Sequence, residues 1–367
     1  MKKCLKRVMA LFMTSSLLLS GCGAAESADG RKQETEGTET VELTVWGEKD
    51  NTATLTKMID SFKEQYKGQA DFNITLETQA DSGVRDVMLT DVHGGADVFS
   101  FPDDQLISLV AGGVLVPVPN AEEVSAENIK ESVDAATLNG KLYGYPMTAD
   151  NGYFMYYNKD YFTEEDVKSL DKMLSVAQAA GKKVAMEFNS GWYLYSFFGN
   201  TGLKLSLNED GVTNACNWND TSGDIRGVDI EEALKRITSN AGFLSCPNGE
   251  IADKMKSGEV IAGISGVWDV MNAKEAWGAD YGACKLPAYT CAGREVQMAS
   301  FTGYKMMGVN AYSKNKDWAC KLADWMTNEE NQKIRFTERN QGPSNINAAA
   351  SPVSISVERK SQPFWVR

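Results

Sequence analysis

Aromatic rings and carboxylates recur in one setting along this chain, just after short apolar runs. Trp46 closes the alternation of Val41, Leu43 and Val45 and is followed by Glu48, Lys49 and Asp50. Phe101 follows the run 96–99 and precedes Asp104 and Gln105. Trp192 and Tyr193 come after the apolar segment 183–188 and a turn at 189–191, and Trp268 comes soon after the run 260–264. Asp150 and Asn151 separate two aromatic stretches, and Phe301 lies in a later one. This is recognition chemistry: rings offer flat apolar faces, and carboxylates accept hydrogen bonds that strengthen when water is excluded.

Catalytic and metal readings find less support. The single histidine, His93, has no partner for acid–base work and reads as part of a surface loop. No spaced acid pair and no Gly-x-Ser-x-Gly elbow stands out. The segment 220–231 has carboxylates or hydroxyls at some calcium-loop spacings, but Ile225 occupies the position that needs glycine. No Cys-x-x-Cys pair points to zinc, and no cofactor is expected.

The elements that would carry these residues follow from periodicity. Val41 to Val45 alternate as a strand. Leu55, Met58, Ile59, Phe62 and Tyr66 share a helical face, Phe72, Ile74 and Leu76 alternate again, and 96–99 is a short strand. That β-α-β order predicts a largely parallel sheet with ligands beyond the carboxyl ends of its strands. The stretch 144–162 reads as two aromatic strands joined by the polar turn 148–152, a connection between two lobes. Beyond it the pattern restarts. A strand at 183–188, a helix carrying Ile230, Ala233, Leu234 and Ile237, and a buried strand at 260–264 are expected. Residues 297–304 read as a strand crossing back, and Trp318, Leu322, Trp325 and Met326 line one helix face as core.

The chain has 367 residues, 43% apolar and 24% charged, with a net charge of −13, which argues against a nucleic-acid partner. Residues 1–21 read as a secretion signal, with Lys2, Lys3, Lys6 and Arg7 before an apolar core too short to span a bilayer. Leu19-Ser20-Gly21-Cys22 resembles a bacterial lipobox, which implies cleavage before Cys22 and lipidation of its sulfur. Residues 22–40 lack large apolar groups and read as a lipid-anchored flexible tether. Cys216, Cys246, Cys284, Cys291 and Cys320 remain; Cys284 and Cys291 flank a strand-turn-strand around Pro287, and buried free thiols are expected.

Several motifs in order carry a family resemblance. Tyr145-Pro146 runs through Asp150 into Tyr157-Asn158-Lys159-Asp160, Gly258 to Trp268 has a GE-x-IAGI-x-G-x-W pattern, and 318–336 and 341–345 form a late helix and closing turn. Together they resemble the maltose-binding family of bacterial extracellular solute-binding proteins, from Val41 to about Ser351. The resemblance implies a two-lobe, type II periplasmic-binding-protein-like α/β fold with a hinge and an interlobe cleft. It implies a first lobe of 41–149 plus 302–350 and a second of 150–301. It also implies a non-enzymatic, monomeric lipoprotein on the outer face of the cytoplasmic membrane that captures an oligosaccharide, such as a maltodextrin, for an ABC permease and its ATPase. Trp46, Glu48, Lys49, Phe101, Asp104, Asp150, Asn151, Trp192, Tyr193, Trp268 and Phe301 would then contact ligand, with Trp46 and Trp268 facing a shared groove. A secreted glycoside-active enzyme and a peptide binder are the alternatives. Residues 351–367 depart from the family pattern, and a truncated end would be expected to leave second-lobe apolar surface exposed.

Overall fold

The computed structural model describes residues 39–210 and 213–351. The segments read as secretion signal and tether before residue 39, with Cys22, and residues 352–367 lie outside the described residues. Strands Thr40–Gly47 (β1), Asp71–Thr78 (β2), Val98–Pro102 (β3), Tyr145–Thr148 (β4), Tyr153–Asn158 (β5), Lys183–Met186 (β6), Phe243–Ser245 (β7), Val260–Gly266 (β8), Tyr281–Cys284 (β9) and Lys305–Val309 (β10) build two five-stranded sheets. The first has the order β2-β1-β3-β10-β4 and the second β7-β6-β8-β5-β9. β1 pairs in parallel with β2 and β3, whereas β10 runs antiparallel to β3 and β4. In the second sheet β6 is parallel to β7 and β8, and β5 is antiparallel to β8 and β9.

Helices cover these sheets because their apolar stripes match the faces they meet. Thr52–Gln65 buries Leu55, Met58, Ile59 and Phe62, and Lys316–Thr327 buries Leu322, Ala323 and Met326, in one first-lobe core. The second sheet is covered on both faces. Tyr153, Met155 and Tyr157 join the core under Gly227–Thr238, while Phe154 and Tyr156 face Asn248–Lys256 and Val270–Trp277. That division is the period-two alternation of a single strand, β5. Strands β3 and β8 are buried throughout, which is why they read as unbroken apolar runs.

Two crossovers join the sheets, and topology puts both at the same edge. β4 ends at Thr148, across β10 from the carboxyl end of β3, and β5 begins at Tyr153, opposite Gly266 at the end of β8. The return crossover delivers Lys305 opposite Pro102 and Thr148. The carboxyl ends of the parallel strands in both sheets therefore meet at the crossovers. Asn151 N–H donates to Gly303 O at 2.9 Å, and Tyr153 N–H donates to Ser300 Oγ at 3.1 Å. The approach needs glycine: a Cβ on Gly303 would lie 2.6 Å from Asn151 O, and one on Gly152 2.5 Å from Phe301 O.

Three expectations are corrected. Residues 298–304 are not a strand; β-structure stops at Gln297 and resumes at Lys305, because the segment bonds to the other crossover instead of to a sheet. Strands do end at Cys284 and Cys291 on either side of Pro287, but the strand-turn-strand is not a paired unit, since β9 belongs to the second sheet and Ala288–Cys291 pairs with Arg294–Gln297. All five described cysteines are free thiols, but Cys216 is exposed, on the ribbon formed by Leu205–Leu207 and Asn214–Cys216, and Cys284 is half-buried. His93 lies in an exposed turn, its ring against Tyr312.

Candidate functional site

The first-lobe edge is built from charge. β10 starts with Lys305, whose side chain is only 13% exposed and whose Nζ lies 2.8 Å from Asp81 Oδ2. Asp81 also accepts from Ser100 Oγ at 2.5 Å, and its own N–H donates to Glu48 Oε1 at 2.9 Å. Gln105, fully buried, donates to the carbonyls of Asp81 and Ser82 and accepts from Arg85 N–H, so it fastens the Asp81 turn. Burial opposes the charge on Lys305, but Asp81 and Glu48 outweigh it and hold the ammonium above its ordinary pKa. Burial, reinforced by Asp81, raises the Glu48 carboxyl.

The second-lobe edge is aromatic. Trp268 follows the end of β8, and a hydrogen-bond chain fixes its indole. Its Nε1 donates to Asn248 Oδ1 at 2.8 Å, Asn248 Nδ2 donates to Ser265 Oγ at 2.9 Å, and Ser265 Oγ donates to Asp269 Oδ2 at 2.6 Å. Trp192 opens the helix Gly191–Phe198 after β6. It stacks on Phe301 of the return crossover at 4.6 Å, and Phe301 also stacks on Tyr195 at 4.1 Å. Trp192, Tyr195 and Phe301 are half-buried.

The lobes touch across these edges. Lys305 Nζ sits over the Trp268 ring, 5.3 Å from its centroid. Asn272 Nδ2 reaches Asp50 Oδ2 at 3.5 Å, and Asn340 Nδ2 lies 3.0 Å from Met271 Sδ. Asp50 is also 3.6 Å from Arg339 Nη2.

Candidate by candidate, the outcome is mixed. Glu48 and Trp268 meet through Lys305, while Trp192 and Phe301 form the aromatic stack. Lys49 and Asp104 are exposed on the loops after β1 and β3. Asp150 is buried and accepts from Gly342 N–H; burial pushes its carboxyl up to about 6. Asn151 is buried against Gly303 at the crossovers. Asp150 and Phe301 line a cavity of about 290 Å³ at the crossovers that neither Trp268 nor Lys305 lines.

Phe101, Tyr193 and Trp46 are corrections. Phe101 has no exposed surface and packs beside Phe99 in the first-lobe core. Tyr193 lies 5.0 Å from the Tyr153 ring in the second-lobe core. Trp46 is 7% exposed, belongs to the first-lobe core and donates Nε1 to Glu77 Oε2 at 2.9 Å, so it does not share an open groove with Trp268. In each case a ring next to a strand end turns inward. Sequence reasoning missed Asp81, Lys305, Tyr195 and the Asn248–Ser265–Asp269 chain.

Comparison with known proteins places this geometry among others. Residues 57–360 match the profile of the family described as bacterial extracellular solute-binding protein. The galactooligosaccharide-binding protein of Bacillus subtilis (strain 168) is 28% identical, over 97% of this chain and 84% of its own length. The maltooligosaccharide ABC transporter solute-binding lipoprotein of Streptococcus pneumoniae (strain ATCC BAA-255 / R6) is 27% identical, over 93% of this chain and 80% of its own length. A solved structure with acarbose is 28% identical and superposes with a TM-score of 0.75, covering 89% of this chain and 86% of that one. The maltodextrin binding protein MalE1 from L. casei BL23, without ligand, is 25% identical with a TM-score of 0.68, covering 86% and 83%.

Proposed function

The chain belongs to the bacterial extracellular solute-binding proteins, and from that premise we propose that it captures an oligosaccharide by closing its lobes and delivers it to an ABC importer. One observation carries this reading: a charge-rich edge and an aromatic edge, each at the carboxyl ends of parallel strands, face each other beside two crossovers. A sugar ring has apolar C–H faces and a rim of hydroxyls. Indole and phenyl rings suit the faces, and carboxylates and amides suit the rim.

Closure supplies selectivity. A ligand shifts the balance between open and closed lobes only by binding one better than the other. The segments 149–152 and 299–302 act as hinges, since the described chain passes between the two sheets there and a change in lobe angle must be absorbed in such connections. The first lobe is 41–149 plus 302–350 and the second 150–301. Cys22 anchors the mature monomer to the outer face of the membrane through lipid, where the closed form meets permease and ATPase subunits. Named relatives that are ABC transporter lipoproteins support that assignment. The protein itself performs no catalysis; new reducing ends on incubation with oligosaccharides would overturn that.

Calorimetry against maltotriose, longer maltodextrins, galactooligosaccharides and a control peptide tests the reading. At least one sugar binds, at a micromolar dissociation constant or better, which needs about −8 kcal/mol. Failure of every sugar by a protein with a sharp melting transition would sink it.

A further inference from the structure

The cavity at the crossovers has walls suited to aromatic rings. We propose that it is a socket for the segment 352–367 of this same chain, which seats Phe364 and Trp365 there and so ties the first lobe to the edge of the second. The proposal does not depend on which solute the cleft binds.

The walls are largely apolar. Phe154 follows one crossover, Met298 precedes the other, and Val267, Ala283 and Leu286 come from the second lobe. Ala283 belongs to β9, the edge strand of the second sheet. An apolar cavity of about 150 Å³ holds a benzene ring in another protein. The volume here, about 290 Å³, suits two rings. Phe364 and Trp365 are two large rings side by side in the sequence. Their segment is also basic, with Arg359, Lys360 and Arg367 against Glu358, in a chain whose net charge is −13, so the summed field of the protein favours its return.

Reach is met as well. Gly342 N–H donates to Asp150, which lines the cavity. Ser351, the last described residue, comes nine residues later, past the helical turn Ile346–Ala349, so it stands within about 32 Å of that wall. Thirteen residues lead from Ser351 to Phe364, and they span up to about 43 Å. Rings seated in the cavity lie against both crossovers, so the segment braces the connections that lobe closure bends.

Hydrogen exchange of the wild-type chain reads docking directly. The amides of 361–367 should exchange at least about tenfold more slowly than in a free peptide of the same sequence. Alkylation of each thiol, timed by peptide mass spectrometry, reads the place. Cys284 lines the cavity and is half-buried, whereas Cys216 is exposed and Cys320 lies in the first-lobe core. Phe364→Ala combined with Trp365→Ala should speed alkylation of Cys284 several-fold and leave Cys216 and Cys320 unchanged. Should Cys320 quicken too, that variant has lost its fold and Met298→Trp decides instead. It fills the cavity from the wall, and the amides of 361–367 should then exchange freely.

Exchange of 361–367 at the free-peptide rate in wild type overturns the proposal, and that is the outcome if a sugar or a small apolar solute is the occupant. Protection with an unchanged Cys284 overturns it too, because the segment then docks elsewhere, as does protection that survives Met298→Trp. None of these measurements involves the cleft ligand, so failure of the sugar panel and failure of the socket are separate results.

Discussion

The two edges of the cleft solve different problems. On the first lobe, Lys305, Asp81 and Glu48 are charged groups drawn out of water, stabilised by one another and by Ser100 and Gln105. On the second, Trp192, Tyr195, Phe301 and Trp268 are rings, set by stacking and a chain of polar partners. The first arrangement is sensitive to losing one member, because a buried charge left alone is costly. The second is tolerant in stability and sensitive in binding. A cleft for an amphiphilic ligand is built by opposing one kind of surface to the other.

The largest expected effect separates the two edges by stability. Asp81→Ala leaves Lys305 nearly buried without its ion-pair partner, a change that costs about 3–5 kcal/mol in other proteins. Ser265→Ala breaks the second-lobe hydrogen-bond chain and costs about 1–3 kcal/mol. Thermal and urea unfolding of both variants measures the gap; equal losses would erase the distinction between the edges.

Binding is expected to reverse that order. Trp268→Ala should weaken oligosaccharide affinity by about 2 kcal/mol, roughly thirtyfold, as removal of a central aromatic anchor does. Its melting transition should change little, because the ring is only half-buried. Trp46→Ala should do the opposite, with a melting loss typical of a core aromatic. An unchanged affinity in Trp268→Ala removes that residue from the site.

A smaller effect probes the joint between the edges. Gly303→Ala places a Cβ 2.6 Å from Asn151 O and 3.2 Å from Asp103 Oδ1, so the crossovers must separate. The cost is about 1 kcal/mol, the low end for overpacking. Because both hinges move, the ligand-induced change in radius of gyration should shrink as well. A variant that closes like wild type would show that the rotation occurs elsewhere.

Much of this fold was legible in the sequence, and the reason is local. β1, β2 and the helix Thr52–Gln65 announce themselves by alternation or by a helical stripe, because each has one buried face. The break between β4 and β5 was legible because polar turn residues interrupt two aromatic strands. Sites were read less well. In β3 every position is buried, so alternation cannot say which way Phe101 points, and an aromatic near the strand's carboxyl end looks the same whether it faces ligand or core. Asp81 and Lys305 are 224 residues apart, and only the tertiary fold brings the turn after β2 against the start of β10. A charge in a sequence reads as solvated unless something marks it as buried, and nothing near Lys305 does. The return crossover was read as strand because Phe301 and Met298 are apolar, yet what they serve is the cavity wall and the aromatic stack.

The smallest effect is a dependence of stability on pH centred on the crossovers. Asp103 and Asp150 flank the crossovers, and burial pushes each carboxyl up to about 6. In the unfolded chain an aspartate ionises near pH 3.9. Between those values the folded protein holds protons that the unfolded chain has released, so stability falls as pH rises through the window and levels off above it. Going from pH 7 to 5.5 should thus stabilise the protein by somewhat under about 1 kcal/mol for each of the two groups. The carboxylates held low by partners, such as Asp229 at about 2 beside Arg226, stay ionised in both states over that range and do not oppose the trend. Asp150→Asn should remove its own share of the gain, since Asp103 continues to titrate and other carboxyls raised by burial, such as Asp269, do so as well. Urea midpoints at the two pH values measure this, and a protein less stable at pH 5.5 than at 7 would show that these carboxyls are not the buried groups that set the pH response.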